Sequence, residues 1–166
     1  MQLAYDLGRI MLDEECDELS GEFLDMFKRG EIPLESDTRY YRNSYATATP
    51  KSWEALYKYT PFVKDILGLE IKPANPFCRI YNNTSILLPH FDREGLDWTI
   101  SVCLKTTINH DWPLCVEVAP NEIIKVNTVK GHGGLIQGNI LNHWRETLSC
   151  EENQYVIQMF LHWTQL

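Results

Sequence analysis

His90-Phe91-Asp92 and the later His143 are the residues whose types and spacing suit metal chemistry. In extended chain, side chains two apart share a face, so His90 and Asp92 can converge on one ion while Phe91 turns away. His143 follows in Asn142-His143-Trp144-Arg145-Glu146. Two imidazoles and a carboxylate on one side of a metal form a facial triad with open positions, which suits a non-haem Fe(II) that must also hold a cosubstrate and oxygen. A closed structural zinc site takes four protein ligands instead, usually with cysteine. All five histidines lie in the second half of the chain. His132, in the turn Gly131-His132-Gly133-Gly134, is the fallback distal ligand if His143 is not one. His110 beside Asp111 falls in a loop, and His162 alternates with Phe160 and Gln158 on the last strand, where it lines the interior or packs in the core.

The elements that must position these residues read as helices first and strands afterwards. From Asp13 to Arg29, Cys16, Leu19, Phe23, Met26 and Phe27 recur at helical steps and form one apolar stripe. Asp13, Glu14 and Glu15 in the first turn and Lys28 and Arg29 in the last complement the helix dipole, and Gly30 is the expected left-handed stop. Thr49-Pro50 opens a second helix carrying Trp53, Leu56 and Tyr57 inward. Pro61 is expected to interrupt it and to start a further short helix that stops at Gly68. Tyr40 to Ala48 can add a strand at an edge.

After Pro73, segments rich in β-branched and aromatic residues follow one another: Phe77–Tyr81, Ser85–Leu88, Trp98–Leu104, Leu114–Val118, Ile123–Val126, Gly134–Gln137 and Tyr155–Trp163. Turn residues such as Asn82-Asn83 and Glu94-Gly95 separate them. Many short strands imply a β-sandwich or jelly roll, so the expected class is α+β, mostly β, with helices packed on one side.

At 166 residues the chain reads as a single domain, with helical support over about 1–72 and a β core over about 73–166. Fifteen Lys+Arg against 23 Asp+Glu give a net charge of −8, which argues against a partner bound through a phosphate backbone. No apolar run approaches the roughly 20 residues of a membrane span, and the N-terminus lacks a basic-then-apolar signal. Cys16, Cys78, Cys103, Cys115 and Cys150 are an odd set without a CxxC pair, which suits reduced thiols in a cytoplasmic protein.

Read together, Arg79-Ile80-Tyr81, Leu87-Leu88-Pro89-His90-Phe91-Asp92-Arg93 and Thr99-Ile100-Ser101-Val102 resemble the Fe(II)/2-oxoglutarate-dependent oxygenases, particularly the prolyl 4-hydroxylase-like branch. The stretch from Gly138 through His143 to Trp163 resembles the distal-histidine end of small bacterial and phage members, and the resemblance covers nearly the whole chain. It implies a double-stranded β-helix (jelly roll) with N-terminal supporting helices, His90, Asp92 and His143 as iron ligands, and Tyr81 hydrogen-bonding 2-oxoglutarate. Iron, 2-oxoglutarate and O2 would supply the oxidising chemistry, and the protein ligation, orientation and a dry pocket. The implied substrate is a prolyl residue of a peptide or protein, with a free amino acid, a nucleobase or a small metabolite as alternatives.

One departure from the family pattern matters. Members place an Arg or Lys shortly after the distal histidine to grip the C5 carboxylate of 2-oxoglutarate, and the matching positions here are Glu152, Asn153 and Gln154. A buried carboxylate needs a charged or multiply hydrogen-bonded partner. Arg145 and Arg79 are the first candidates for that cation, ahead of Lys105, because both sit inside the matching motifs. The missing cation also leaves room for a cupin-like metal-binding module without oxygenase activity, and the same triad would serve a zinc-dependent hydrolase.

Overall fold

The computed structural model describes residues 2–35 and 37–166. Its elements are, in chain order, β1 (Ala4–Arg9), α1 (Asp13–Lys28), β2 (Tyr41–Thr47), α2 (Pro50–Leu67), β3 (Ile71–His90), β4 (Trp98–Thr106), β5 (Leu114–Ala119), β6 (Glu122–Val126), β7 (His132–Ile136), β8 (His143–Arg145) and β9 (Val156–Gln165). α1 forms where the apolar stripe predicts it and buries Cys16, Leu19 and Phe23. Gly30, at φ 71°, makes the left-handed turn that ends it. At the start of α2 the Thr49 hydroxyl accepts the Ser52 N–H at 3.1 Å, and the Ser52 hydroxyl accepts the Thr49 N–H at 2.8 Å.

The expected break at Pro61 does not occur: α2 runs through it as one helix, and of its residues expected inward Leu56 is buried while Trp53 and Tyr57 are exposed. Proline removes the N–H that would donate to the Tyr57 carbonyl and crowds that carbonyl, yet the helix continues past it. The Thr60 hydroxyl donates to the Leu56 carbonyl at 2.8 Å and accepts from the Trp163 indole N–H at 2.9 Å, tying the interrupted turn to β9.

The order of helices before strands also needs correction, because β1 precedes α1 and pairs with β7, from Ala4↔Ile136 to Arg9↔His132. Its sequence, with Asp6 and Gly8, lacks the alternation of a half-buried strand, and pairing with a distant partner overrides local pattern. Phe77–Tyr81 and Ser85–Leu88, read as two strands around an Asn82-Asn83 turn, belong to the single long β3. The chain bends there instead of reversing. Thr84 at φ 68° and Asn43 at φ 52° face each other across the β2–β3 pair, and the Asn43 amide hydrogen-bonds the Thr84 hydroxyl. Before the bend β3 pairs with β9, and after it with β8, so one strand links both parts of the sheet.

All named pairs are antiparallel, and the order is β1-β7-β4-β9-β3-β8-β5-β6, with β2 on the edge against β3 as expected. Alternate residues divide the sheet into two faces. On one, Ile80, Trp98, Ile100, Val102, Leu135, Met159, Leu161 and Trp163 pack against Phe23 of α1 and Leu56 and Val63 of α2, all essentially fully buried. Burying each such side chain contributes about 1.5–3 kcal/mol. The opposite face carries Arg79, Tyr81, Thr99, Ser101, Gln158 and His162, and these polar residues are also buried. The helices therefore stabilise the sheet from outside and leave its interior to the chemistry. This is the jelly roll implied by the sequence. Among the described residues no helix is long and apolar enough to cross a membrane.

Candidate metal centre

The long β3 ends at His90, β8 begins at His143, and the two are direct partners in the ladder. Their rings lie 4.2 Å apart between centroids. Asp92 comes just after β3, where its N–H donates to the Gly138 carbonyl at 2.9 Å. Its Oδ2 accepts the Thr99 hydroxyl at 2.8 Å. That leaves Oδ1 facing the imidazoles, 3.7 Å from His90 Nε2 and 3.6 Å from His143 Nε2. One donor atom from each of His90, Asp92 and His143 lies within 4.8 Å of the others, close enough to hold a single ion. Both rings are oriented by backbone: His90 Nδ1 donates to the Leu88 carbonyl at 3.0 Å and His143 Nδ1 to the Leu141 carbonyl at 2.9 Å. A carbonyl only accepts, so each Nδ1 carries the proton and each Nε2 presents a lone pair.

Electrostatics favours the forms that bind metal. Burial, with the neighbouring His143, pushes the His90 pKa down to about 4, so the ring is neutral. Burial alone would raise the Asp92 carboxyl, but the neighbouring imidazoles of His143 and His162 when protonated, with the Thr99 hydroxyl, hold it down to about 2. A histidine with a depressed folded pKa gives stability that is complete above its unfolded value and is lost as pH falls. Metal-free protein should therefore lose up to about 3 kcal/mol of unfolding free energy as pH drops from about 6.5 to 4, read from urea midpoints. The Asp92 contribution persists there and is lost only as pH falls from about 3.8 through 2. His90→Gln should flatten the upper part of the profile.

Gly138 is a steric requirement of the site. A Cβ there would lie 2.0 Å from Asp92 Oδ2 and 2.8 Å from Cγ. Gly138→Ala should turn the carboxylate away from the histidines and weaken metal binding about 10- to 100-fold, the range for residues that orient a ligand, in a calorimetric titration.

A cavity of about 570 Å³ opens in front of the triad, walled by Tyr40, Tyr41, Phe77, Phe91 and Phe160. A groove of about 470 Å³ between α1 and α2 includes none of the three ligands. Among the other residues singled out from sequence, Arg79 lines the cavity, but its guanidinium is engaged by Glu35 at 2.7 Å and the Ser44 hydroxyl at 2.8 Å, with the Tyr41 ring 3.5 Å away. Tyr81 is fully buried with its ring 4.9 Å from Trp112. Lys105 follows a bulge in β4, is half-buried, and does not line the cavity. His132 pairs with Arg9 and stands outside the metal group; His110 is exposed in its loop.

Arg145 is the unusual one. It is 2% exposed on β8, two residues past His143. It donates to the Trp112 carbonyl at 2.9 Å and to the hydroxyls of Thr128 at 3.3 Å and Ser101 at 3.2 Å. No carboxylate among the described residues forms an ion pair with it, and burial pulls its pKa down. An unpaired buried charge costs several kcal/mol. Nearby, the Ser101 hydroxyl donates to Gln158 Oε1 at 3.4 Å. Arg145 Nε, Arg79 Nε, Tyr81 Oη and Gln158 Nε2 are all buried without a hydrogen-bond partner. These four atoms can all donate, so the interior suits an anion with several acceptor oxygens. The inward-facing positions of β9 are Val156, Gln158, Phe160 and His162, with no cation among them, while Glu152 and Asn153 are exposed. Thr99, Gly138, Gln158 and Glu35 were missed from sequence. Thr99 and Ser101, polar positions two apart in an otherwise apolar β4, carried a readable signal of a polar interior.

The nearly closed antiparallel sheet is similar in fold to solved Fe(II)/2-oxoglutarate oxygenases. No protein-family model matches the chain and no curated protein matches its sequence. Among solved structures it is similar to a prolyl-4-hydroxylase from Pseudomonas putida, at TM-score 0.76 and 14% identity, covering 100% of this chain and 94% of that one. It is also similar to the viral collagen prolyl hydroxylase of Paramecium Bursaria Chlorella virus-1, at TM-score 0.66 and 15% identity over 98% and 96%. A third is HygX from Streptomyces hygroscopicus, solved with nickel, 2-oxoglutarate and hygromycin B bound, at TM-score 0.68 and 10% identity over 97% and 83%.

Proposed function

We propose that this protein is an Fe(II)- and 2-oxoglutarate-dependent dioxygenase that hydroxylates a carbon of its substrate, with residues 1–166 acting as one oxygenase domain. The observation that carries the reading is the unpaired, buried guanidinium of Arg145 with bare donors around it, inside the same sheet as the triad. His90, Asp92 and His143 would hold iron, whose chemistry when 2-oxoglutarate and O2 are present is decarboxylation to succinate coupled to oxygen insertion into a C–H bond. Arg145 would grip the C5 carboxylate, with Tyr81 and Gln158 donating to it. Arg79 is second to Arg145, because Glu35 already neutralises it. Lys105 is third: it stands outside the cavity lining as Arg145 does, but Arg145 is fully buried and reaches Ser101 of that lining, whereas Lys105 is half-buried. With substrate seated, the aromatic walls would help to exclude water from the reacting end.

A prolyl residue in a peptide or protein is the first substrate class to test, and a small molecule the second, since prolyl hydroxylases and an antibiotic-bound oxygenase share the fold. The five free thiols fit a reducing compartment, and on that ground we place the protein in the cytoplasm. The net charge of −8 disfavours free nucleic acid as substrate. A buried cation that donates to Ser101 of the cavity wall favours the oxygenase over a metal-binding module without a cosubstrate. Under anaerobic conditions the protein should bind one Fe(II) and develop a weak visible charge-transfer band on addition of 2-oxoglutarate. In air it should form succinate, faster with a prolyl-peptide pool. Absence of both the band and succinate would overturn the reading.

A further inference from the structure

The two ligand histidines share their wiring with a third. His162 Nδ1 lies 2.8 Å from the Asn75 carbonyl, so it too carries the proton on Nδ1 and presents a bare Nε2 when neutral. For His90 and His143 that lone pair turns to Asp92. His162 forms no such close pair with a carboxylate among the described residues, and it lies outside the group of donor atoms that can share an ion. It makes no other hydrogen bond among the described residues. Yet it is close to the centre. In the ladder its partner is Thr99, the residue whose hydroxyl holds Asp92. The ring is 6% exposed and lines the cavity beside Phe160, with Phe77 edge-on at 6.1 Å.

We infer that His162 is a substrate-recognition residue: its Nε2 accepts a hydrogen bond from an amide N–H or hydroxyl that the substrate presents beside the carbon to be attacked. The inference rests on the oxygenase reading above and narrows its substrate class to molecules with a neutral donor. An acceptor set in an aromatic wall is costly to leave bare once ligand excludes water, so a substrate that satisfies it is favoured over one that does not. Burial keeps the ring neutral, and Arg93 and His143 reinforce it against the opposing pull of Asp92. A prolyl nitrogen within a peptide carries no hydrogen. For a prolyl substrate the donor is therefore the backbone N–H of a neighbouring residue.

Two amides that differ in one donor test this. The protein, labelled with 15N-histidine and loaded with Zn(II) and 2-oxoglutarate, is titrated with N-methylacetamide and with N,N-dimethylacetamide. N-methylacetamide should shift the His162 Nε2 resonance upfield and bind about five- to tenfold more tightly, the scale of one neutral hydrogen bond. In His162→Phe that preference should vanish, and in His162→Gln, whose carbonyl also accepts, it should return in part. A wild-type protein that takes up Zn(II) and 2-oxoglutarate but does not discriminate between the amides overturns this inference alone. A preference that survives in His162→Phe does the same. A protein that takes up neither Zn(II) nor 2-oxoglutarate overturns the oxygenase reading and this inference with it.

Discussion

Asp92→Ala should leave a folded protein that no longer holds iron, with Fe(II) affinity down by more than about a hundredfold. The scale follows from the position of the carboxylate, since even residues that only orient a ligand are worth 10- to 100-fold. Asp92 supplies the one anionic donor of the three, with one oxygen pinned by Thr99 and the other facing both imidazoles. Without it, two imidazoles with centroids 4.2 Å apart would have to bind a dication alone. Anaerobic calorimetry would read the affinity, and circular dichroism would confirm the fold. Unchanged affinity in a folded variant would remove Asp92 from the site.

Arg145→Gln should move two quantities in opposite directions. Removing the cation should raise the dissociation constant for 2-oxoglutarate roughly 10- to 100-fold, since one charge-assisted hydrogen bond is worth about 1.5–3 kcal/mol. It should also stabilise the protein without ligand by about 1 kcal/mol or more, because it deletes a buried charge that no carboxylate offsets. A residue that merely packed the interior would lose stability on substitution. The two signs are read by cosubstrate titration of the charge-transfer band and by urea unfolding of the apoprotein. A larger cosubstrate loss in Arg79→Gln would transfer the anchor to that residue. Placing the charge on β9 as Gln158→Arg in the Arg145→Gln background should recover part of the affinity.

The triad was legible because its chemistry is local in sequence: His90 and Asp92 need only an extended chain, and His143 needs only to stand in the matching motif. The faces of β4 and β9 were legible for the same reason, since period two is written into Trp98–Leu104 and Tyr155–Trp163. Features that depend on a distant partner were hidden. β1 exists because β7 accepts it, and α2, which runs on through Pro61, is tied to β9 where Thr60 accepts the Trp163 indole N–H. β3 continues past Asn82-Asn83 because Ser85 accepts the Asn82 N–H and β2 covers the bend. Arg79 and Arg145 could not be ranked firmly from sequence, because what separates them is Glu35, a residue far from either motif.

Pairing β1 with β7 also sets the order in which the molecule can assemble. Residues 4–9 reach their ladder partners only once residues 132–136 are available, and β4 is covered on its other side by β9 at the end of the chain. Loop closure must therefore be paid for before most of the sheet yields any stability, which favours slow folding. Until then β3 and β4 have unpaired edges and exposed apolar faces, the condition in which chains associate with one another. Deleting β9 would remove the partner shared by β3 and β4, and for this molecule the last ten or so residues decide whether the earlier ones remain apart from other chains.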